Sequence, residues 1–163
     1  MDDIINAMKE VFNGDSRLIG HTMEVLRYAN EIISGENIDQ KTALIIREAS
    51  ILHDIGVKEA ERKYGSSDGP YQEKEGGIIA RKVLEQFGRD PEYIERVCYI
   101  VGNHHTKDKI DGLDFQIVWE ADLLVNLKDK HFSIEDIEGF IDENFKTKKG
   151  LEIGRKLFIA KGD

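Results

Sequence analysis

Apolar residues recur at intervals of three and four along most of the chain, as on one face of an α-helix. Ile4, Met8 and Val11 begin this pattern, and short polar segments with helix-capping residues, Gly or Pro interrupt it. The pattern and these boundary signals predict eight helices, at about residues 2–12, 16–33, 39–53, 72–87, 91–105, 114–128, 134–145 and 148–160.

The predicted helices differ in how much apolar surface they carry. Residues 39–53 are apolar nearly all round, which places this helix at the centre of the domain. Residues 63–71 are rich in Gly, Ser and Asp and predict a polar loop. No strand-like alternation, internal repeat or long linker is present. The pattern therefore predicts an all-α, single-domain helical bundle that spans residues 1–163.

Composition narrows the class of protein. The 163 residues include 23 Lys or Arg and 32 Asp or Glu, a formal net charge of −9. Such a surface disfavours non-specific nucleic-acid binding, which needs a basic footprint. The acidic start at Asp2 and Asp3 is unlike a signal peptide, and no apolar run approaches the ~20 residues of a membrane span. We expect a soluble, cytoplasmic protein without a membrane partner.

A single cysteine limits the covalent and metal chemistry. Cys98 has no second cysteine for an intramolecular disulfide or a thiolate zinc cage. Its neighbours Val97, Tyr99, Ile100 and Val101 are apolar or aromatic, so we expect a buried, unreactive thiol.

Histidines lie at unusual places in the predicted helices. Of the five in the chain, His21, His53, His104 and His105 lie at apolar helix positions or helix ends, whereas His131 lies in a polar connection. Taken singly, a histidine on an apolar face is more often a core residue than a ligand. Several of them on separate helices of one bundle are harder to explain by packing alone.

Two carboxylates share this apolar setting, whereas most others lie on solvated helix faces. Asp54 directly follows the all-apolar helix, and Asp122 shares a helix face with Val118 and Val125. A buried carboxylate needs a partner, either a hydrogen-bond donor, an arginine or a metal ion. Inward imidazoles and carboxylates on several helices favour a divalent metal centre with open positions, although a capped or arginine-paired Asp122 is the simpler alternative.

The order of these residues resembles the HD-domain superfamily of metal-dependent phosphohydrolases. A lone His, a His-Asp doublet about thirty residues later and a distant Asp form its signature. The resemblance covers residues 16–128, with the C-terminal helices 133–160 outside it as a cap on the bundle. It rests on four segments in family order, Arg17-Leu-Ile-Gly-His21, Leu52-His-Asp-Ile-Gly56, Gly102-Asn-His-His105 and Glu120-Ala-Asp122.

The resemblance implies that His21, His53, Asp54 and Asp122 hold one divalent metal ion, with Fe, Mn, Zn, Ni, Co and Mg all open as its identity. Asp54 is then free to bridge toward a second ion. Two-metal branches of the family add further histidines for that ion.

This chain keeps the later pair of those histidines as His104 and His105, but Gln72 stands where an earlier one is expected. Glu73 or Glu75 would need a shifted helix register to replace it. Because Gln is a poor ligand for transition metals, we expect one tight metal site and a second that is weak or filled together with substrate.

The implied reaction is hydrolysis of a phosphoester or pyrophosphate bond by metal-activated water, in a small, nucleotide-like phosphorylated molecule. Asp54 would orient or deprotonate the water, with Arg17, Lys58 and the His104–His105 pair as candidates to neutralise the phosphate. The family lysine is displaced by one residue, because Val57 stands at the motif position. The loop 63–71 is a candidate to border the pocket.

The same residues also fit two functions of other classes. The same fold could serve as a non-catalytic sensor or interaction module that binds a metal or nucleotide without turnover. An oxygenase with a mixed-valent iron pair is a weaker alternative, because it needs the ligand that Gln72 replaces. The helices from residue 133 onward are candidates for a homodimer contact.

Overall fold

The computed structural model describes residues 1–128 and 133–159, with only the backbone of Ile134. His131 and the predicted end of the last helix at Ala160 lie outside the described residues. The described residues contain no strand, which confirms the all-α prediction. The helices are α1 (Asp2–Val11), α2 (Ser16–Gly35), α3 (Gln40–Leu52), α4 (Val57–Tyr64), α5 (Gly69–Gln86), α6 (Pro91–Val101), α7 (Leu113–Leu127), α8 (Ile134–Asn144) and α9 (Lys148–Phe158), with a 3₁₀ turn at Lys107–Lys109.

Helix α3 lies in the middle of the bundle, as its apolar sequence predicts. It packs against α1, α2, α6 and α7. Ile46, Ala49, Ile51 and Leu52 on this helix are fully buried. Helix α5 packs against α4 and α6, and α9 packs against α2 and α7. The C-terminal end of α3, where the His-Asp doublet lies, is therefore surrounded by other elements.

The segment predicted as a loop at residues 63–71 is mostly helical. Helix α4 continues through Tyr64 and ends at Gly65, whose φ of +69° is a left-handed conformation that suits glycine. Helix α5 already begins at Gly69, with Pro70 in its first turn. Proline is compatible with a first turn, where the missing N–H has no helical partner. The loop prediction was therefore wrong except at residues 65–68.

Helix α6 is shorter than predicted. It ends at Val101, and residues 102–105 form turns instead of continuing the helix. His104 and His105 thus belong to a turn beyond the helix. In the sequence, the two histidines continue the spacing of the apolar residues Val97, Cys98 and Val101. The periodicity therefore did not show that the helix ends at Val101.

Three further carboxylates are buried where the sequence gave no warning. Glu48, Glu75 and Glu120 are at most 2% exposed. Glu48 accepts hydrogen bonds from the Arg89 guanidinium at 2.6 Å and from the Tyr93 hydroxyl at 2.7 Å. Charged or hydroxyl donors of this kind compensate for the lost hydration of a carboxylate. The other described carboxylates are exposed or half-buried, as predicted, and these three glutamates are the exceptions.

Glu120 connects α7 to the turn between α8 and α9. Its carboxylate accepts from the Thr147 hydroxyl at 2.6 Å, from the Gln116 amide at 2.7 Å and from the backbone N–H groups of Lys146 and Thr147 at 2.9 and 3.1 Å. Burial raises the pKa of Glu120, and these donors counteract that rise only in part. The C-terminal helices are thereby attached to the helix that carries Asp122.

Cys98 is 8% exposed, and burial raises the pKa of its thiol to about 11. A thiol with this pKa remains protonated at neutral pH and is a weak nucleophile. The prediction of a buried cysteine is confirmed. Among the described residues, no helix is both long and apolar enough to cross a lipid bilayer.

Gly56 lets α5 approach the segment that follows the His-Asp doublet. A Cβ atom at Gly56 would overlap the backbone of Gln72 and Gly76 on α5. Because backbone atoms cannot move aside as a flexible side chain can, only glycine permits this contact. The contact sets the position of Gln72 relative to Asp54.

We predict that Gly56→Ala lowers the free energy of unfolding by about 1–3 kcal/mol or more, because it overpacks the α4–α5 junction. Gly77→Ala on α5 is the matched control, since no atom outside its own helix lies within 4 Å of the added Cβ. That variant should keep or gain up to about 1 kcal/mol through helix propensity. Urea unfolding followed by circular dichroism measures both, and equal stabilities would contradict the close-packing argument.

Candidate metal centre

A cavity of about 700 Å³ opens between α2, α7, the end of α3 and the start of α5. Helices α2 and α7 pack along each other and form one wall. The predicted site residues that line it are Arg17, His21, Asp54, Gln72, His105 and Asp122.

Four side-chain atoms converge at one end of this cavity. His21 Nε2 lies 3.1 Å from Asp122 Oδ1 and 3.4 Å from Asp54 Oδ2. His53 Nε2 lies 3.3 Å from His21 Nε2, 3.2 Å from Asp54 Oδ2 and 3.4 Å from Asp122 Oδ1. Ligands bound at about 2.0–2.2 Å to one cation lie about 2.8–3.6 Å apart. The observed separations therefore match those of atoms that share one metal ion.

The orientation of His53 strengthens this match. Its Nδ1 lies 2.7 Å from the Ser50 carbonyl oxygen, so Nδ1–H donates to that oxygen and the neutral ring leaves a lone pair on Nε2. Metal-binding histidines commonly have such a partner for the other ring nitrogen. A lone pair on Nε2 faces His21 Nε2 and two carboxylates, all of which are acceptors. Acceptor atoms this close together repel one another unless a proton or a cation lies between them. These residues therefore fit a divalent metal ion.

The charges of the cluster favour a positive ion. Burial by itself would lower the pKa of His53, but the carboxylates of Asp54 and Asp122 outweigh it and raise this pKa well above its ordinary value. Burial by itself would raise the pKa of Asp54, but the His53 and His104 imidazoles hold it well below its usual range. The pKa of Asp122 is likewise lowered, mainly by His53 and His21, despite burial. Both carboxylates therefore stay ionised and attract a cation.

A second group shares Asp54 with the first. Asp54 Oδ1 lies 3.3 Å from His104 Nε2, while Oδ2 faces the first cluster. His104 Nδ1 donates to the Val101 carbonyl oxygen at 2.7 Å, as His53 does to Ser50. Ligand atoms of Asp54, His104 and His105 all lie within 4.8 Å of one another. The carboxylate of Asp54 is therefore placed between two potential metal positions, as the sequence resemblance implied.

Gln72 lies in the first turns of α5 and is 9% exposed. Its Nε2 donates to the Ser67 carbonyl oxygen at 3.1 Å, and its Oε1 has no hydrogen-bond partner among the described residues. Ser67 also lines the cavity, so the residues 63–71 do border the pocket as predicted.

Neither neighbouring glutamate takes the place of Gln72. Glu73 accepts from the backbone N–H of His105 at 3.2 Å, and Glu75 accepts from the Lys63 ammonium at 2.9 Å and the Tyr64 hydroxyl at 3.0 Å. Both carboxylates are committed to contacts other than the metal cluster. The register of α5 therefore places Gln72 at the cavity, and neither glutamate replaces it there.

The two predicted cationic residues differ in position. Arg17 lies one turn before His21, lines the cavity and forms no ion pair with any described residue. Lys58 does not line the cavity, because its ammonium lies 2.9 Å from the Asp15 carboxylate; Val57 lines the wall instead. Asp15 in turn caps α2 by accepting from the backbone N–H groups of Arg17 and Leu18. The structure thus brings Arg17, but not Lys58, to the site.

Four polar residues of the cavity wall were not predicted, and one of them is Ser16, next to Arg17. Glu24 and Asn126 line the wall together with Glu61. Glu24 follows His21 by three residues, and Asn126 follows Asp122 by four, so helical spacing alone could have found both. Glu61 lies on α4, a helix that the sequence pattern did not predict, and no sequence signal marks it.

Comparisons with known proteins agree with this geometry. The family model described as HD domain matches residues 18–140 and includes all four residues of the first cluster. The fold is similar to the crystal structure of a predicted HD superfamily hydrolase from an uncultured Thermotogales bacterium. That similarity has a TM-score of 0.71 and 26% sequence identity, and it covers 99% of this chain and 88% of the other. No curated protein matches the chain.

We predict that adding Mn²⁺ or Zn²⁺ to chelator-treated protein raises its melting temperature, by the equivalent of about 2.7 kcal/mol at a hundredfold excess over the dissociation constant. Asp122→Asn should reduce this shift strongly, because it removes one anionic ligand from the cluster. Differential scanning calorimetry with and without metal measures the shift.

Asp114→Asn is the matched control on the same helix, since the Asp114 carboxylate pairs with Arg96 at 2.6 Å outside the cavity. This variant should lower the melting temperature of the metal-free protein but retain the full metal-dependent shift. An undiminished shift in Asp122→Asn would contradict the assignment of the cluster.

Proposed function

Because the chain belongs to the HD-domain family, we propose that it is a metal-dependent phosphohydrolase that cleaves a phosphoester or pyrophosphate bond with water. The observation that carries the proposal is the convergence of four side chains at the end of an open cavity. Two imidazole nitrogens lie 3.3 Å apart there, and each lies 3.1–3.4 Å from an oxygen of Asp54 and an oxygen of Asp122. The alternative, a non-catalytic metal- or nucleotide-binding module, would use the same cluster without turnover.

His21, His53, Asp54 and Asp122 would hold the metal. A divalent ion there lowers the pKa of coordinated water and polarises a phosphoryl oxygen. Asp54 stays ionised, so its carboxylate is suited to accept a hydrogen bond from the attacking water and to orient it. The water oxygen would form the new bond to phosphorus while the bond to the leaving oxygen breaks and leaves its electron pair on that oxygen. The proton of the water would pass through Asp54 to the leaving oxygen or to solvent.

Arg17 supplies the positive charge for the phosphate in this proposal. Its unpaired guanidinium at the cavity can bind two phosphate oxygens at once. His104 and His105 are placed to donate to further oxygens when they are not metal ligands. We assign Lys58 a supporting role, because its ammonium holds Asp15, the residue that caps α2 next to Arg17.

A small, nucleotide-like substrate agrees with the cavity. Its volume of about 700 Å³ lies in the range of about 300–1,000 Å³ that is usual for small-molecule sites. Ser67, Gln72 and Asn126 provide hydrogen-bonding groups along its wall, whereas Glu24 and Glu61 would repel a long polyanion. These features support a mononucleotide or a related phosphorylated metabolite rather than a nucleic acid.

We predict that the metal-loaded protein hydrolyses at least one member of a panel of nucleoside mono-, di-, tri- and cyclic phosphates. In Asp54→Ala, kcat on that substrate should fall by about 100-fold or more, because the residue that orients the water is gone. Phosphate or pyrophosphate release measures turnover. Full turnover in this variant would contradict the mechanism, and stoichiometric metal without turnover on the whole panel would favour the non-catalytic alternative.

We predict that Arg17→Ala raises KM about 10- to 100-fold, because a charge-assisted contact to phosphate is lost. Arg17→Lys should restore part of that loss. Arg27→Ala is the control on the same helix, since Arg27 is exposed and pairs with Glu24 and Glu31. Steady-state kinetics separate KM from kcat, and equal KM values for Arg17→Ala and Arg27→Ala would rule out phosphate binding by Arg17.

A further inference from the structure

Glu61 differs from the other charged residues of α4. Its carboxylate forms no ion pair or side-chain hydrogen bond with any described residue, and it lines the cavity. Every other charged residue of this helix forms an ion pair with a side chain outside the cavity wall or on its rim, in the pairs Lys58–Asp15, Glu59–Arg62 and Lys63–Glu75. The unpaired charge of α4 is therefore the one that the cavity presents to a ligand.

Glu61 lies apart from the metal cluster. Val57, three residues after Asp54, begins α4 and lines the wall. Glu61 follows Val57 by four residues and therefore lies one turn further, about 6 Å along the helix axis. Among the described residues, it belongs to neither group of side chains that could hold a metal ion. It is thus placed to meet a part of the substrate other than the phosphate at the metal.

An unpaired carboxylate is unexpected in a cavity for a phosphorylated molecule, because its negative charge repels phosphate. Glu24, the other glutamate of the wall, pairs with Arg27 and Lys128. Arg17 is an unpaired charge of the opposite sign on the same wall. A ligand that matches both unpaired charges carries its phosphate at one end and hydrogen-bond donors away from it.

The two oxygens of a carboxylate can accept from two adjacent N–H groups on one planar ligand edge. Guanine presents its N1–H and its 2-amino group in this arrangement. Hypoxanthine lacks the amino group, and adenine has an acceptor nitrogen beside its own amino group. Among common purine bases, guanine is therefore the best match for an unpaired carboxylate.

We propose that Glu61 is a specificity-determining residue that accepts hydrogen bonds from a guanine base and makes the cavity selective for guanosine phosphates. The inference rests on the proposed function, because the phosphate of the same nucleotide would lie at the metal and Arg17. It adds the base that this site recognises and the residue that recognises it.

The test measures binding of the 5′-phosphonate analogues of guanosine and inosine monophosphate to the Mn²⁺-loaded protein by isothermal titration calorimetry. Water cannot cleave their carbon–phosphorus bond, so the measurement requires no turnover. The two analogues differ only in the 2-amino group. The native protein should bind the guanosine analogue about tenfold or more tightly, because a hydrogen bond from that group to a charged carboxylate is lost in the inosine analogue.

Glu61→Gln should reduce this preference to about threefold or less, because a neutral amide accepts more weakly than a carboxylate. Glu61→Ala should bind the two analogues about equally. Glu59→Gln is the control on the same helix, since Glu59 pairs with Arg62 and does not line the cavity; it should keep the native preference. Because Glu61 is exposed, its variants should fold, and circular dichroism checks this. A merely structural role would change both dissociation constants alike.

The outcomes separate this inference from the proposed function. Equal binding of the two analogues by the native protein, no binding of either, or an unchanged preference in Glu61→Ala overturns the role of Glu61. None of these results contradicts hydrolysis of another phosphorylated substrate. A preference that depends on Glu61, in a protein that turns over no nucleotide, supports guanosine recognition and overturns the proposed hydrolysis.

Discussion

The need for a positive charge among the acceptor atoms at the end of α3 is the constraint on which the site depends. Two imidazole nitrogens lie 3.3 Å apart, and each lies 3.1–3.4 Å from one oxygen of Asp54 and one of Asp122. The helices that bring them together must provide enough packing free energy to hold them there. Helix α3 meets this need because it is buried among four other helices, so His53 at its end has little freedom to move away.

Not every buried carboxylate of this protein signals a functional site, and their partners tell them apart. Glu48, Glu75 and Glu120 are surrounded by lysine, arginine, hydroxyl, amide and backbone donors, so their hydrogen-bonding capacity is used within the fold. Among the described residues, the side-chain partners of Asp54 and Asp122 are imidazole Nε2 atoms. For His53 and His104 those atoms are lone pairs in the neutral ring, because Nδ1–H is bound to a backbone carbonyl oxygen. A carboxylate opposite acceptors requires a cation, whereas one opposite donors does not.

Backbone groups do much of the positioning at this site. His53 and His104 are each oriented by the carbonyl oxygen three residues earlier, and Gly56 allows the backbone of Gln72 to approach. Such contacts do not depend on the identity of neighbouring side chains. The cavity wall also carries other polar residues, among them Glu24, Glu61 and Asn126. The backbone contacts orient His53 and His104 without help from these wall residues.

The sequence by itself determined the helical class and the residues of the first cluster. Helical periodicity is local, and a histidine or aspartate at an apolar position is conspicuous without knowledge of its neighbours. It did not reveal α4, because only Val57 and Ala60 of that helix are buried. The pairing of Lys58 with Asp15 and the burial of Glu120 against Thr147 were decided by the tertiary structure alone. Each joins residues far apart in the chain, and helix packing, which no local pattern encodes, sets which polar side chains meet.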